Sequence, residues 1–157
     1  IRHILINPEF KNIENKTELL LFLAARAQHV KEIIEPALEA GKIVLCDRFD
    51  GSTFAYQHFA RGLDFKKIKD WNDWAKNYLE PDLVIFLDID PAEGIKRRGK
   101  DLNRIDTETM DFHKKVRDGY CKLSEINENW VRIDGSGNID EVRGKVVEII
   151  NNLLKRN

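Results

Sequence analysis

The sequence predicts an α/β domain built on a parallel sheet, and three observations carry that expectation. Short apolar runs, Ile43 to Cys46, Leu83 to Leu87 and Trp130 to Ile133, read as strands. Longer amphipathic segments separate them, so strand and helix alternate along the chain. Leu83-Val84-Ile85-Phe86-Leu87 is apolar on consecutive residues, the pattern of a strand covered on both faces. Three strands make a thin sheet for this class.

Taken in order, Ile1 to Pro8 reads as the last turns of a helix closed by Asn7-Pro8. A domain seldom opens inside an element, so the chain is expected to lack a preceding N-terminal segment. Thr17 is placed to cap a long helix running to about Ala40, with Gly41 as its stop. Leu19, Leu20, Leu23, Ala27, Val30, Ile34 and Leu38 form its expected core stripe, and Pro36 a kink. After the strand at Ile43 to Cys46 come helices from about Ser52 to Ala60 and from about Phe65 to Tyr78. Trp71 and Trp74 in the second of these, like Trp130, read as core or partner-facing packing. Asp90-Pro91 supplies an N-cap and an N1 proline for the next helix. A basic segment precedes a helix from about Thr107 to Asn127. The turn Asp134-Gly135-Ser136-Gly137-Asn138 then leads to a closing amphipathic helix, whose polar Lys155-Arg156-Asn157 suggests a whole C-terminus. No repeat, linker or low-complexity tract interrupts residues 1–157, which read as a single domain.

Bulk properties exclude several classes. Of 157 residues, 26 are Lys or Arg and 27 are Asp or Glu, so no global field draws the chain to nucleic acid or an anionic membrane. No apolar run approaches the ~20 residues of a membrane span. Two cysteines, Cys46 and Cys121, do not make a secreted disulfide framework, so a reduced, cytoplasmic setting is expected.

Three clusters can carry chemistry. The most informative is Asp47-Arg48, which follows an apolar strand directly, where ligands sit in parallel α/β sheets. A carboxylate there can hold Mg2+, and the neighbouring guanidinium can grip a phosphate by two hydrogen bonds. The bland alternative is a solvated loop in which Asp47 caps the next turn. Ser52 and Thr53 can be simple N-caps, while Tyr56 and Gln57 can face core or ligand. Phe22 and Arg26, one turn apart on the long helix, suit a flat base bearing a phosphate; a core Phe beside a surface Arg is the plain reading. The run from Lys96 to Arg104 holds five cations and breaks at Gly99. Such runs usually form solvated faces, but this one has the makeup of a lid that brings arginines to a transferring phosphoryl group and excludes water. The Gly135-Ser136-Gly137 turn lacks a Gly-Lys-Ser/Thr ending and is no phosphate loop. His3, His29, His58 and His113 show no metal-ligand spacing.

These features occur in the order found in the thymidylate kinases, P-loop enzymes that pass the ATP γ-phosphoryl group to thymidine monophosphate (dTMP). Leu21-Phe22-Leu23-Ala24-Ala25-Arg26-Ala27-Gln28 resembles the family's base-binding helix, which implies that Phe22 stacks on thymine and Arg26 contacts the nucleotide. Asp47-Arg48-Phe49 is similar to the Asp-Arg-aromatic motif, with Asp47 implied for Mg2+ and Arg48 for the acceptor phosphate. Thr53, Tyr56 and Gln57 fall on positions that line the nucleotide pocket. Pro81 to Asp88 resembles the following strand, and Gly94-Ile95-Lys96-Arg97-Arg98 the lid entry. Arg104-Ile105-Asp106 is similar to a lid exit that is usually Arg-Ile-Glu. Arg97, Arg98 and Arg104 are thus implied as catalytic lid arginines, with Arg97 alternatively reaching adenine. Ser136 corresponds to the turn near adenine.

The implied fold is a P-loop-kinase-like, three-layer α/β architecture with a parallel sheet, lacking its first strand and phosphate loop. The family's Gly-x-x-x-x-Gly-Lys-Ser/Thr loop and its Arg/Glu-Pro-Gly-Gly-Thr segment have no counterpart in the sequence and are expected to precede Ile1. Gly51 stands where many members carry Asp. ATP and Mg2+ are the implied co-substrate and ion, and a homodimer through the long helix the implied assembly. Two rivals remain open: another nucleotide or deoxynucleoside kinase, and a non-catalytic remnant that only binds nucleotide or dimerises.

Overall fold

Two parallel strands, β1 (Val84–Asp88) and β2 (Trp130–Asp134), form the sheet of the computed structural model, which describes residues 1–10, 12–99 and 103–155. Their register pairs Val84 with Trp130 and Asp88 with Asp134, and the Gly135 amide extends the ladder to the Asp88 carbonyl at 2.8 Å. The lid residues Lys100, Asp101 and Leu102, and the terminal Arg156 and Asn157, lie outside the described residues.

The helices are α1 (Arg2–Ile6), α2 (Asn15–His29), α3 (Glu35–Glu39), α4 (Asp50–Thr53), α5 (Phe65–Ala75), α6 (Pro91–Arg98), α7 (Met110–Ile126) and α8 (Ile139–Leu154). Side chains satisfy the orphan amides at several N-termini. Asp64 accepts from Lys67 N, Asp90 from Ala92 N and Thr109 from Phe112 N, while Asn138 and Glu141 form a capping box. The cap of α2 is Glu14 rather than Thr17, whose own amide donates to the Glu14 carboxylate at 3.1 Å.

The expected kink at Pro36 is a π-helical segment, Val30–Ile34, joining α2 to α3. Proline has no N–H and its ring crowds the carbonyl four residues back; the wider turn, in which Glu35 N–H reaches the Val30 carbonyl, relieves the contact. A second π-helical segment, Phe54–Ala60, continues α4.

Two clusters make the core. Leu19 and Leu23 of α2 pack on Ile68 and Ala75 of α5; Ala55 packs on Phe112 and Val116 of α7. Leu20 and Leu38, expected in the stripe of the long helix, are exposed, as is Trp74.

The sheet departs from expectation at Ile43 to Cys46. This segment is not a strand: Ile43 is 70% and Leu45 82% exposed. Strands are stabilised by ladder and cross-strand partners, not by local preference, and among the described residues none pairs with this stretch. For the same reason β1 is not buried on both faces. Its first three residues are half-buried and Leu87 is exposed.

Candidate functional site

Residues 50–61 organise the site, because this helical run presents a different side chain set to each of three neighbours. Positions four apart share a face. Gly51, Ala55 and Phe59 face β2 and α7: a Cβ on Gly51 would meet the Trp130 ring at 2.6 Å, and Phe59 lies against Gly119. Thr53, Gln57 and Arg61 face α2, where they meet Arg26 and Glu18. Tyr56 is left facing a cleft, and Ser52 meets Tyr120 of α7 beside it. Tyr56 accepts a 2.9 Å hydrogen bond from Arg48 Nη1, and the Ser52 hydroxyl pairs with that of Tyr120 at 2.6 Å.

Arg26 reaches this region from α2. Its Nη1 donates to Thr53 Oγ1 (2.8 Å) and Asn72 Oδ1 (2.5 Å), and its Nη2 donates to the Phe49 carbonyl (2.9 Å). The guanidinium also stacks 5.5 Å from the Phe49 ring centroid. Burial lowers its pKa, with Asp50, Cys46 and Tyr120 opposing the shift, yet a guanidinium stays charged at neutral pH. Arg48, beside Phe49, has a left-handed backbone (φ 64°) and lies over the Tyr56 ring at 5.4 Å. The aromatic–guanidinium helix and the Asp47-Arg48 turn therefore converge.

The charge pattern sets Arg26 and Arg48 apart from the other arginines around the site. Among the described residues no carboxylate lies within 4.0 Å of Arg26 or Arg48, whereas Arg61, Arg97, Arg98, Arg104, Arg117 and Arg132 all have one. A cation held only by neutral acceptors keeps its field for an anion.

The cleft, about 250 Å3, is bounded by Arg48, Tyr56, Arg98, Asp106, His113 and Tyr120. Tyr120 stacks on Phe86 at 5.1 Å, and burial pushes its hydroxyl up to about 12, so it remains a donor at neutral pH. A second cleft of about 530 Å3 adjoins at Ile89 and Arg117 and is lined by Asp88, Arg132, Asp134 and Ser136. Arg97 donates to the Gly135 and Ser136 carbonyls at 2.9 and 2.7 Å, fastening α6 beside it. Arg98 reaches Asp106 at 2.5 Å across the lid, which Gly99 bends with a φ of 77°.

Some expected site residues are not brought to this group. Gln57 is buried and donates to Glu18. Arg104 is buried too, donating to the Leu5 carbonyl and to Glu18. Burial alone would raise the Glu18 carboxyl, but hydrogen bonds from Arg61 and Arg104 outweigh it and hold the group below the usual carboxylate range. Phe22 is half-buried, one turn before Arg26. Asp47 is exposed next to Arg48, and among the described residues no three His, Cys, Asp or Glu side chains gather to hold a metal. One carboxylate is a fitting donor set for Mg2+, which keeps waters and takes further oxygens from substrate phosphates.

Sequence reasoning missed Tyr120, Asn72, Lys76 and the Asp88–Arg117–Arg132 ion cluster. For Tyr120 a signal existed, its place four residues after core Val116 on an amphipathic helix; for the others none did, because their partners are remote in sequence.

The sequence has relatives among known proteins. The family model for thymidylate kinase matches residues 1–146. A thymidylate kinase of Geobacillus sp. (strain WCH70) is 46% identical over 147 residues, covering 90% of this chain and 70% of the relative. Those of Geobacillus thermodenitrificans (44% over 155 residues; 96% and 69%) and Bacillus pumilus (40% over 162 residues; 100% and 76%) are similar over as much. With a family match over residues 1–146 and relatives 40–46% identical along nearly its whole length, the chain belongs to the thymidylate kinase family.

Proposed function

We propose that this chain binds dTMP for phosphorylation by ATP to the diphosphate. The observation that carries the reading is the meeting of Arg26 with the Phe49 carbonyl, which sets two cations without carboxylate partners at one turn. Arg48 takes the acceptor phosphate and Arg26 the nucleotide, with Phe22 stacking on the base. Tyr56 and Thr53 orient the two arginines, and Gln57 braces Thr53's face of the helix through Glu18. The adjoining cleft past Ser136 is assigned to ATP, with Arg97 fastening its rim, Arg98 serving the lid, and Asp47 offering a ligand to Mg2+. ATP with Mg2+ supplies the phosphoryl group and neutralises part of its charge.

The 157 residues contain no Gly-x-x-x-x-Gly-Lys-Ser/Thr loop, so by themselves they are expected to bind acceptor yet transfer little phosphate. The exposed Leu20, Ile33 and Leu38 of the α2–α3 run support a homodimer, and the free cysteines a cytoplasmic site. No helix among the described residues is long and apolar enough to cross a membrane.

Titration calorimetry tests the acceptor reading. The chain should bind dTMP about tenfold more tightly than cytidylate or thymidine. Equal or tighter binding of cytidylate would assign the site to another nucleotide.

A further inference from the structure

Helix α5 sends two polar side chains into the interior to which the acceptor reading gives no role. Asn72 is 0% and Lys76 1% exposed, one turn apart at the end of the helix. Burying an amide or an ammonium is unfavourable unless specific partners answer it. Asn72 Oδ1 accepts from Arg26, while Nδ2 has no partner among the described residues. An unpaired buried donor is unfavourable, so the amide is oriented for Arg26 and not for its own satisfaction. Lys76 Nζ donates to Asp50 at 2.6 Å and to the exposed Glu80 at 2.7 Å.

Through Arg26 and through Asp50 the two side chains reach the turn that carries Arg48. Left-handed backbone is unfavourable for a non-glycine residue, and it persists only where neighbours over-determine it. The two residues after Arg48 are the restrained ones. The Phe49 carbonyl is held by Arg26, itself held by Asn72, and the Asp50 carboxylate is held by Lys76.

We propose that Asn72 and Lys76 are positioning residues: acting through Arg26 and Asp50, the last turn of α5 sets the geometry of the Arg48 turn for the acceptor phosphate. The proposal rests on the reading of this site as the dTMP site. A lysine that only stabilised the fold would affect melting, not ligand discrimination.

The test measures calorimetric affinity for dTMP and for thymidine, with thermal melting, on the 157-residue chain and its variants. Lys76→Met, Asp50→Asn and Asn72→Leu should each raise the dTMP dissociation constant about tenfold. For Lys76→Met and Asp50→Asn, thymidine affinity should stay within about twofold, and the double variant should be no weaker than the poorer single one. Glu80→Gln removes the exposed partner of the same ammonium and should leave dTMP affinity unchanged. Should Lys76→Met lose its helical circular dichroism, Asp50→Asn decides in its place, since its ammonium keeps Glu80. Lower melting with unchanged dTMP affinity in Asp50→Asn, or equal losses for dTMP and thymidine, would overturn the proposal while the acceptor reading stood. A wild-type chain that fails to bind dTMP would overturn the acceptor reading, and the brace with it.

Discussion

The guanidinium of Arg26 donates to the carbonyl oxygen of Phe49 at 2.9 Å, joining the last turn of α2 to the turn before α4. Twenty-three residues separate the pair. Because the same guanidinium also holds Thr53 and Asn72, α2, α4 and α5 meet on one cation, and the Arg48 turn cannot shift against α2 without breaking that junction.

Arg26→Lys keeps a positive charge but loses the planar fork that serves three acceptors. Hydrogen bonds to charged groups contribute about 1.5–3 kcal/mol. The variant is therefore expected to bind dTMP one to two orders of magnitude more weakly, roughly the same energy. Calorimetry reads this directly, and unchanged affinity would return Arg26 to a structural role.

Arg48→Lys should separate phosphate recognition from folding. The change leaves the backbone as it is and removes the Tyr56 hydrogen bond at the cleft. Melting should hardly move, since exposed substitutions are usually within about 0.5 kcal/mol. Affinity for dTMP should fall about tenfold while thymidine, which lacks the phosphate, binds as before. Parallel losses for both ligands would exclude Arg48 as the phosphate residue.

Acid should weaken the fold through Glu18. Its folded pKa lies below its ordinary value of 4.5, so the unfolded chain takes up its proton first. The stabilisation is complete above pH 4.5 and declines as pH falls towards the folded value. Asp88, held below its ordinary 3.8 by hydrogen bonds from Arg117 and Arg132 that outweigh burial, adds a loss at still lower pH. At pH 7, Glu18→Gln leaves the buried Arg104 without its carboxylate, while Arg61 keeps Glu108, and should cost about 3–5 kcal/mol. Urea unfolding across pH 7 to about 3 should show the gap between wild type and variant closing in acid; a constant gap would contradict the ion-pair origin.

Gly119→Ala tests the packing behind the cleft. The added Cβ would fall 2.7 Å from the Phe59 ring, and overpacking of this kind costs about 1–3 kcal/mol. Melting should drop by several degrees, about 2–4 °C per kcal/mol at this size. An unchanged melting temperature would mean that Phe59 moves freely.

Much of the fold was legible in local pattern. The helix starts at Asp90-Pro91 and the turn to α8 follow from capping chemistry that acts within four residues. Phe22, Arg26, Asp47 and Arg48 were singled out through the family resemblance of their short segments, and the meeting of Arg26 with the Phe49 carbonyl came from the fold. The strand expected at Ile43 to Cys46 was not decidable in this way, since β structure depends on a partner that a local run of apolar residues does not supply.

The amino-acid order alone determined the helical periods and most of the caps, consequences of short-range sterics and hydrogen bonding, and its family resemblance supplied the candidate ligand-binding side chains. Tertiary structure decided which arginines kept their charge free. Arg104 was taken up by Glu18, 86 residues away, and Arg117 by Asp88, 29 residues away, whereas Arg26 and Arg48 met only neutral acceptors. An ion pair between distant residues forms only when packing brings its members within a few ångströms, where Coulomb attraction outweighs the cost of desolvation; sequence spacing carries no record of that distance.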